Sequence, residues 1–525
     1  MTHLPFFRPG ATHLALCLAA GFAVAGSPAA ARAQGATEAT ARYFDRMRAD
    51  PPQLEAFLRE MPKGADLHNH LSGAVYAESL LQWAAQDSLC IARSGLTLVP
   101  PPCDPATKPP AAAALRDAGL YGDVIDAWSM RNWNPARQNG HDQFFATFGR
   151  FGAVTGGRRT GDMLAEEARI AADDRVAYVE TMLTPDGASA RLARVFGWHD
   201  DMARLRRELL DSGFVRQVLA DARATYDSAE AREKQLLGCG TPQAGPGCGV
   251  TIRYLYQVAR ARAPEEVFAR IMAGFEVASA DPRVVGLNLV QPEDDYTAMK
   301  DYELHMRMIR YLQPFYPTVK VALHAGELAP GLVPPEGLRF HVRDAVEVAG
   351  ARRIGHGVDI MEEDRPAELL RRMARGDVLV EICLTSNDAI LGVVGRQHPL
   401  HAYLDAGVPV ALATDDQGVA RSSMTREYLR AAQEQGLGYV QLKTLTRNGM
   451  QHAFIGGASL WADPRRFVTV AVCAGGAASG GACRAYLDAN PRARLQWELE
   501  RAFDAFEARY TAAASSSSAR ANAGR

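Results

Sequence analysis

Four apolar segments of this chain each end in side chains that bind metals: His68 and His70, then His324, then His356, then Asp415. A fold that gathers strand ends lying so far apart in sequence at one point is required, and few architectures provide it. The first segment runs Lys63-Gly64-Ala65-Asp66-Leu67-His68-Asn69-His70. Residues two apart on a strand share a face, so both imidazoles converge. The second, Val321-Ala322-Leu323-His324-Ala325-Gly326-Glu327, follows its ligand type with two small residues and a carboxylate. In the third, Arg353-Ile354-Gly355-His356-Gly357, glycines on both sides are expected to let the backbone crowd a bound molecule. The fourth, Val408 to Asp416, delivers the adjacent carboxylates Asp415 and Asp416. Neighbouring side chains point differently, so one can hold metal and the other substrate.

Eight strand-like segments are read at 64–71, 176–183, 251–258, 284–290, 319–324, 352–356, 377–384 and 408–414, most of them followed by helical sequence. Several are continuously apolar, as strands covered on both faces are. Eight such units predict an α/β TIM (β/α)8 barrel, whose functional groups sit at the carboxyl ends of the strands. The barrel is expected to occupy residues 34–511 as one domain, with a helical N-terminal leader at 41–61 and a long helical insertion at about 72–175. Within the insertion, Phe144, Phe148 and Phe151 fall on one helix face. Core packing of an inserted subdomain is one use for that stripe, and a lid or partner surface is the other. A second insertion is read at 238–249, and the Ala/Ser-rich tail, 512–525, reads as disordered.

The formal net charge is −2 over 525 residues with both signs interspersed, which gives no footprint for nucleic acid or for an acidic membrane. A small neutral molecule is the expected partner, with a homodimer as the candidate assembly. Arg8, an apolar stretch from Leu14 to Ala25 and Ala31-Arg32-Ala33 form the pattern of a secretory signal peptide, residues 1–33, cut after Ala33. A periplasmic or secreted location follows. Six cysteines form three local pairs, Cys90 with Cys103, Cys239 with Cys248 and Cys473 with Cys483, each around a Pro-, Gly- or Ala-rich segment. Such pairs suit disulfide-closed loops in an oxidising compartment. Cys383, in an apolar strand, is expected to be a free buried thiol.

The motifs His68-Asn69-His70, His324-Ala325-Gly326-Glu327, Arg353 to Gly357, Leu384-Thr385-Ser386-Asn387 with His398-Pro399, and Thr414-Asp415-Asp416 resemble, in this order, those of the adenosine deaminase family of metal-dependent amidohydrolases. The secreted, growth-factor-related branch is the most similar. The signature of the zinc cytidine-type deaminases, His-x-Glu followed by Pro-Cys-x-x-Cys, is absent.

The resemblance implies that His68, His70, His324 and Asp415 hold one Zn2+ per chain, and three imidazoles with one carboxylate suit that ion. It further implies that His356 holds or deprotonates the attacking water. Glu327 would protonate the ring nitrogen beside the attacked carbon, which requires burial to raise its pKa. Asp416 would bond a purine nitrogen, and Ser72, Gln291 and His70 would complete the substrate contacts. Two positions depart from the family pattern. Ser72 stands where an Asp commonly contacts the ribose, and Gln291 stands where a Gly usually offers its backbone N–H. A narrower pocket, or one contacting more than unmodified adenosine, is the expected consequence.

The expected activity is hydrolytic deamination of adenosine and 2′-deoxyadenosine to the inosine forms and ammonia. Two other readings stand beside it: an amidohydrolase of another amino-purine or modified adenosine, and a secreted binding or growth-factor-like protein without catalysis.

Overall fold

The computed structural model describes residues 28–474 and 480–522, with side chains from 34 to 511. The expected signal peptide and polar tail fall outside these residues or on stretches described by backbone alone. Eight strands form one parallel sheet in sequential order: β1 Gly64–His70, β2 Val176–Leu183, β3 Thr251–Ala259, β4 Val284–Val290, β5 Lys320–Ala325, β6 Arg353–His356, β7 Leu379–Ile382 and β8 Val410–Leu412. Just past the end of β8, a parallel bridge between Asn69 and Asp415 joins the last strand to the first and closes the barrel. The Asp415 N–H donates to His68 O at 2.8 Å, and the His70 N–H donates to Asp415 O at 3.2 Å. The seam of the barrel is therefore stitched by the backbone of residues expected to bind metal.

A charged layer lies inside the barrel. Arg353 is fully buried between Glu180, at 2.6 Å, and Glu381, at 2.5 Å, with its guanidinium 3.7 Å from the Phe454 ring centroid. Removing one partner of such a buried pair costs about 3–5 kcal/mol, because the other charge is left unpaired in a poorly polarisable interior. This layer holds Glu381 against His68, one of the histidines expected to bind metal.

The expected helical leader is built of two helices rather than one continuous run. Two helices, Pro28–Met47 and Pro51–Glu60, meet at Asp50, whose side chain caps the second by accepting the Gln53 N–H. Pro51 and Pro52 are at home in a first helical turn but would break a helix interior, so the chain must restart there. The insertion after β1 carries helices at Ala77–Gln86, Ala118–Ala127 and Gly140–Phe151, and a two-stranded ribbon, Cys90–Ala92 with Thr97–Val99. The Trp128 indole N–H donates to Leu96 O and ties ribbon to helices. All three disulfides form as paired in the sequence, and Cys383 is a buried free thiol. No helix among the described residues is long and apolar enough to cross a membrane.

Candidate active site

The ends of β1 and β5, together with Asp415 just past β8, bring four side-chain atoms together. Nε2 of His324 lies 3.0 Å from Nε2 of His68 and 3.2 Å from Nε2 of His70. Oδ1 of Asp415 lies 3.5 Å and 3.3 Å from the same two nitrogens of His68 and His70. Atoms bound at about 2.0–2.1 Å to one zinc ion stand roughly 3.0–3.4 Å apart, so the spacing fits a single metal.

Hydrogen bonding to the far ring nitrogens sorts the histidines. The Glu381 carboxylate can only accept, so at 2.8 Å it takes the Nδ1–H of His68. Asn288 Oδ1 already accepts the backbone N–H of His324 at 3.0 Å, so it is the amide oxygen that takes the His324 Nδ1–H at 2.9 Å. Gln257 Oε1 meets His70 Nδ1 at 3.3 Å in the same pattern. When neutral, as a metal ligand must be, each of these rings turns an Nε2 lone pair toward the others. Lone pairs facing one another at 3.0–3.2 Å repel unless a cation lies among them, which is the strongest indication that this pocket is built for one.

His356 is arranged in the opposite sense. The Leu400 N–H donates to His398 Nδ1 at 3.2 Å, so neutral His398 carries its proton on Nε2 and donates it to Asn387 Oδ1 at 3.1 Å. The Asn387 amide is thereby oriented to donate to His356 Nδ1, at 3.0 Å. His356 consequently bears its proton on Nε2, 3.5 Å from Glu327 Oε1, and that buried nitrogen has no hydrogen-bond partner. By distance alone His356 groups with His68, His324 and Asp415. Its tautomer instead makes it a donor rather than a ligand.

Burial and neighbouring charge set the protonation states. Burial pulls the His356 pKa down to about 3 against the pull of Asp415, and that of His398 down to about 4, so both stay neutral. Burial also opposes charge on His68, yet Asp415 and Glu381 outweigh it and lift the pKa to about 10. The pocket thus favours positive charge. Burial, reinforced by Asp415, holds the Glu327 carboxyl well above the usual range, as its expected role as a proton donor requires. Asp416 is raised by burial, opposed by His70 and reinforced by Asp415. Burial alone would raise Asp415 too, but the adjoining imidazoles of His68 and His70 keep it well below the usual range. Adjacent carboxylates are thereby split into one anion and one neutral acid.

Backbone strain concentrates here. Gln291, His356 and Asp415 have φ of 86°, 69° and 56°. Non-glycine residues persist in that left-handed region only where the surroundings impose it. Gln291 adopts a left-handed backbone that favours glycine and folds its side chain back. Its Oε1 accepts the Ala261 N–H at 2.9 Å, while its carbonyl accepts from Arg260 Nε at 2.9 Å. The glycines beside His356 serve packing rather than a bound molecule. A Cβ at Gly355 would lie 2.4 Å from the His68 ring. At Gly73, a Cβ would lie 1.7 Å from Asp416 Oδ1, so the glycine admits that carboxyl.

A cavity of about 370 Å³ opens onto the cluster, lined by His70, His324, Glu327, Asp415 and Asp416 on one side and by Phe144, Phe145 and Phe148 on the other. Ser72 and Gln291 also line it, so all the expected substrate contacts converge. Phe144 and Phe151 pack in the core while Phe145 and Phe148 are half-buried, so the helix Gly140–Phe151 both packs and roofs the cavity. Residues that the sequence reading did not single out are Glu381, Asn288, Gln257 and Glu293. Glu293 accepts the N–H groups of Gly326 and Glu327 at 3.2 and 2.8 Å and fixes the loop bearing the acid.

Fold and site together define a parallel (β/α)8 barrel with a buried His/Asp group fit for a metal at its carboxyl end. The adenosine deaminase family model matches residues 136–459, more than half of the sequence, and the chain belongs to that family. Similar proteins include an adenine deaminase of Rhizobium johnstonii, 31% identical over 218 residues, 41% of this chain and 62% of that protein. An adenosine deaminase of Shewanella loihica is 35% identical over 136 residues, 26% of this chain and 38% of that protein. The chain thus spans less than two thirds of the length of either relative. Among solved structures, Arabidopsis ADAL complexed with IMP has a TM-score of 0.51 at 16% identity, covering 86% of this chain and 99% of that one. A zinc-bound amidohydrolase from Burkholderia ambifaria has a TM-score of 0.50 at 17% identity, covering 87% and 95%. These last two likenesses concern the fold.

Proposed function

We propose that this protein is an exported, zinc-dependent deaminase that converts adenosine, and 2′-deoxyadenosine, to the inosine forms with release of ammonia. The observation that carries the reading is the sorting of the histidines. His68, His70 and His324 offer lone pairs to one point beside anionic Asp415, while His356 and Glu327 present protons next to it. Three imidazoles and a carboxylate suit zinc, which when bound supplies the Lewis acidity that brings a water from pKa about 15.7 to about 7.

The remaining steps belong to the chain's own residues. The apolar roof of Phe145 and Phe148 receives the flat purine and excludes water. Glu327, kept neutral by burial, donates its proton to the ring nitrogen beside the attacked carbon, so the ring accepts the incoming oxygen without accumulating charge. The His356 Nε2–H holds that oxygen in line. Asp416, also raised, donates to a purine ring nitrogen, which is an acceptor and needs a protonated partner. The proton on the added oxygen passes to the amino group, the bond from the ring carbon to that nitrogen breaks so that ammonia leaves, and a proton from the next water restores Glu327. Export is supported by the leader pattern and the three disulfides, which suit an oxidising compartment.

A second reading, another amino-purine as substrate, is favoured by Ser72 and Gln291 and by the adenine deaminase among the relatives. Ultraviolet absorbance of adenosine, 2′-deoxyadenosine and adenine incubated with the purified protein separates the two. Conversion of the nucleosides at the higher kcat/KM supports the first reading, and conversion of adenine alone supports the second.

A further inference from the structure

Among the described residues nothing hydrogen-bonds to the Glu327 carboxyl, and His356 Nε2 stands 3.5 Å from it. The aim of this acid therefore depends on its backbone. Gly326, just before it, turns left-handed with φ of 74°. Successive N–H groups in such a turn form a concavity that binds an anion. Glu293, from the loop after β4, supplies the anion: Oε1 accepts the Gly326 N–H at 3.2 Å and Oε2 the Glu327 N–H at 2.8 Å.

Glu293 is held in its turn. A carboxylate can only accept, so Oε1 also takes the His341 Nδ1–H, at 2.6 Å. The His341 ring stacks on Tyr302 with centroids 3.7 Å apart and planes at 7°, and the Tyr302 hydroxyl donates to His341 O at 2.7 Å. Glu363 anchors the same helix start by accepting the N–H groups of Val342 and Arg343 at 2.7 and 3.1 Å. The side chains of Glu293 and His341 are fully buried, and neither lines the cavity at the metal cluster. Burial alone would raise the Glu293 pKa, but His341 and Arg260 hold it below its ordinary value, so all three donors meet an anion. Hydrogen bonds to an ionised acceptor are about twice as strong as neutral ones.

We propose that Glu293 is a positioning residue for the reaction and that His341 fixes Glu293: through the N–H groups of Gly326 and Glu327, the pair keeps the Glu327 carboxyl aimed at the ring nitrogen it protonates. The proposal rests on the deaminase reading and adds the residues that aim its acid.

Deamination kinetics of adenosine and adenine test it, on zinc-loaded variants whose metal content and circular dichroism are measured alongside. Glu293→Gln puts an amide N–H2 where two acceptor oxygens served three donors. Misplacing a reacting group by about 1 Å costs on the order of 10²-fold, so kcat should fall by about that factor with KM and zinc content unchanged. In a Glu327→Gln background the same change should cost almost nothing, because its effect runs through an acid already removed. A native kcat in Glu293→Gln, or an equal loss in both backgrounds, would overturn the proposal. If Glu293→Gln does not fold, or Glu327→Gln turns over too slowly to measure, His341 decides. Asn at 341 offers an amide N–H in place of Nδ1–H, and Leu offers none. His341→Asn should keep most of the native kcat and His341→Leu should lose roughly tenfold or more; equal kcat in the two would overturn the proposal. In all these cases the deaminase reading stands, whereas no turnover of either amino-purine by the native zinc-loaded protein would overturn that reading and the positioning role with it.

Discussion

Glu381 is a single carboxylate in an apolar strand, and it does two jobs: it takes the His68 Nδ1–H and neutralises Arg353. Glu381→Gln keeps the shape and removes the charge. Since partners of metal-binding histidines are worth about 10–100-fold in affinity, zinc affinity should fall by that factor while circular dichroism stays native; competition with a chromophoric chelator measures it. Asn387→Asp tests the tautomer argument. A carboxylate there would accept from His356 Nδ1, stripping the proton from Nε2 on the cavity side. Losing one positioned donor costs roughly 10²–10³ in kcat, and the metal content should be unchanged. An Asn387→Asp protein with normal kcat would remove His356 from the role of donor. The ligand types were legible in the sequence because each ends an apolar strand. Their orienting partners were not, because they come from other strands: Glu381 lies 313 residues from His68, and no periodicity says which strands will be neighbours. The conformation of Gln291 was hidden for a related reason. A left-handed backbone at a non-glycine is imposed by Arg260 and Ala261 around it, and the residue's own type gives no sign of it.

Among the elements, the roof helix Gly140–Phe151 is clasped to the loop after β4 by His141, whose Nε2 lies 2.9 Å from Asp294 Oδ1. Asp142 approaches the other nitrogen at 3.2 Å, and Phe145 packs on the ring. The bond to Asp294 raises the His141 pKa above 6.5, with burial opposing. A base whose folded pKa is raised contributes stability that is full below its unfolded pKa and lost as pH rises through the folded value. The clasp should therefore weaken as pH rises above about 6.5. KM should climb with pH in the native protein, and Asp294→Asn should raise it severalfold at pH 6 and abolish the climb; steady-state kinetics from pH 5.5 to 8.5 checks both. A half-buried pair of this kind is worth about 1 kcal/mol or less, so the melting temperature should barely move. The strands were legible within about two residues, because continuous apolar runs bounded by Gly and Pro leave little choice. The break at Asp50-Pro51-Pro52 carries its own signal, a cap followed by prolines, which the apolar pattern on either side masks.

At the scale of the whole molecule, the residues that would hold the metal also close the barrel. His68 and His70 on β1 exchange backbone hydrogen bonds with Asp415 across the seam, and their side chains converge at the same point. An ion held by these residues would cross-link the first strand to the last. Ligand binding to the folded state stabilises by about 4 kcal/mol at a thousandfold excess over Kd, so chelation should lower the melting temperature by several degrees, reversibly on return of zinc. Unchanged melting after complete removal would separate the metal from the seam. The central claim is that the cluster at this seam powers purine deamination. Its most direct test is ammonia release from adenosine by the purified protein as isolated, after exhaustive chelation, and after reconstitution with one equivalent of zinc. The account predicts turnover, its loss, and its recovery at one ion per chain. A chelated protein that still releases ammonia, or a protein with one bound ion that deaminates no amino-purine, would contradict it.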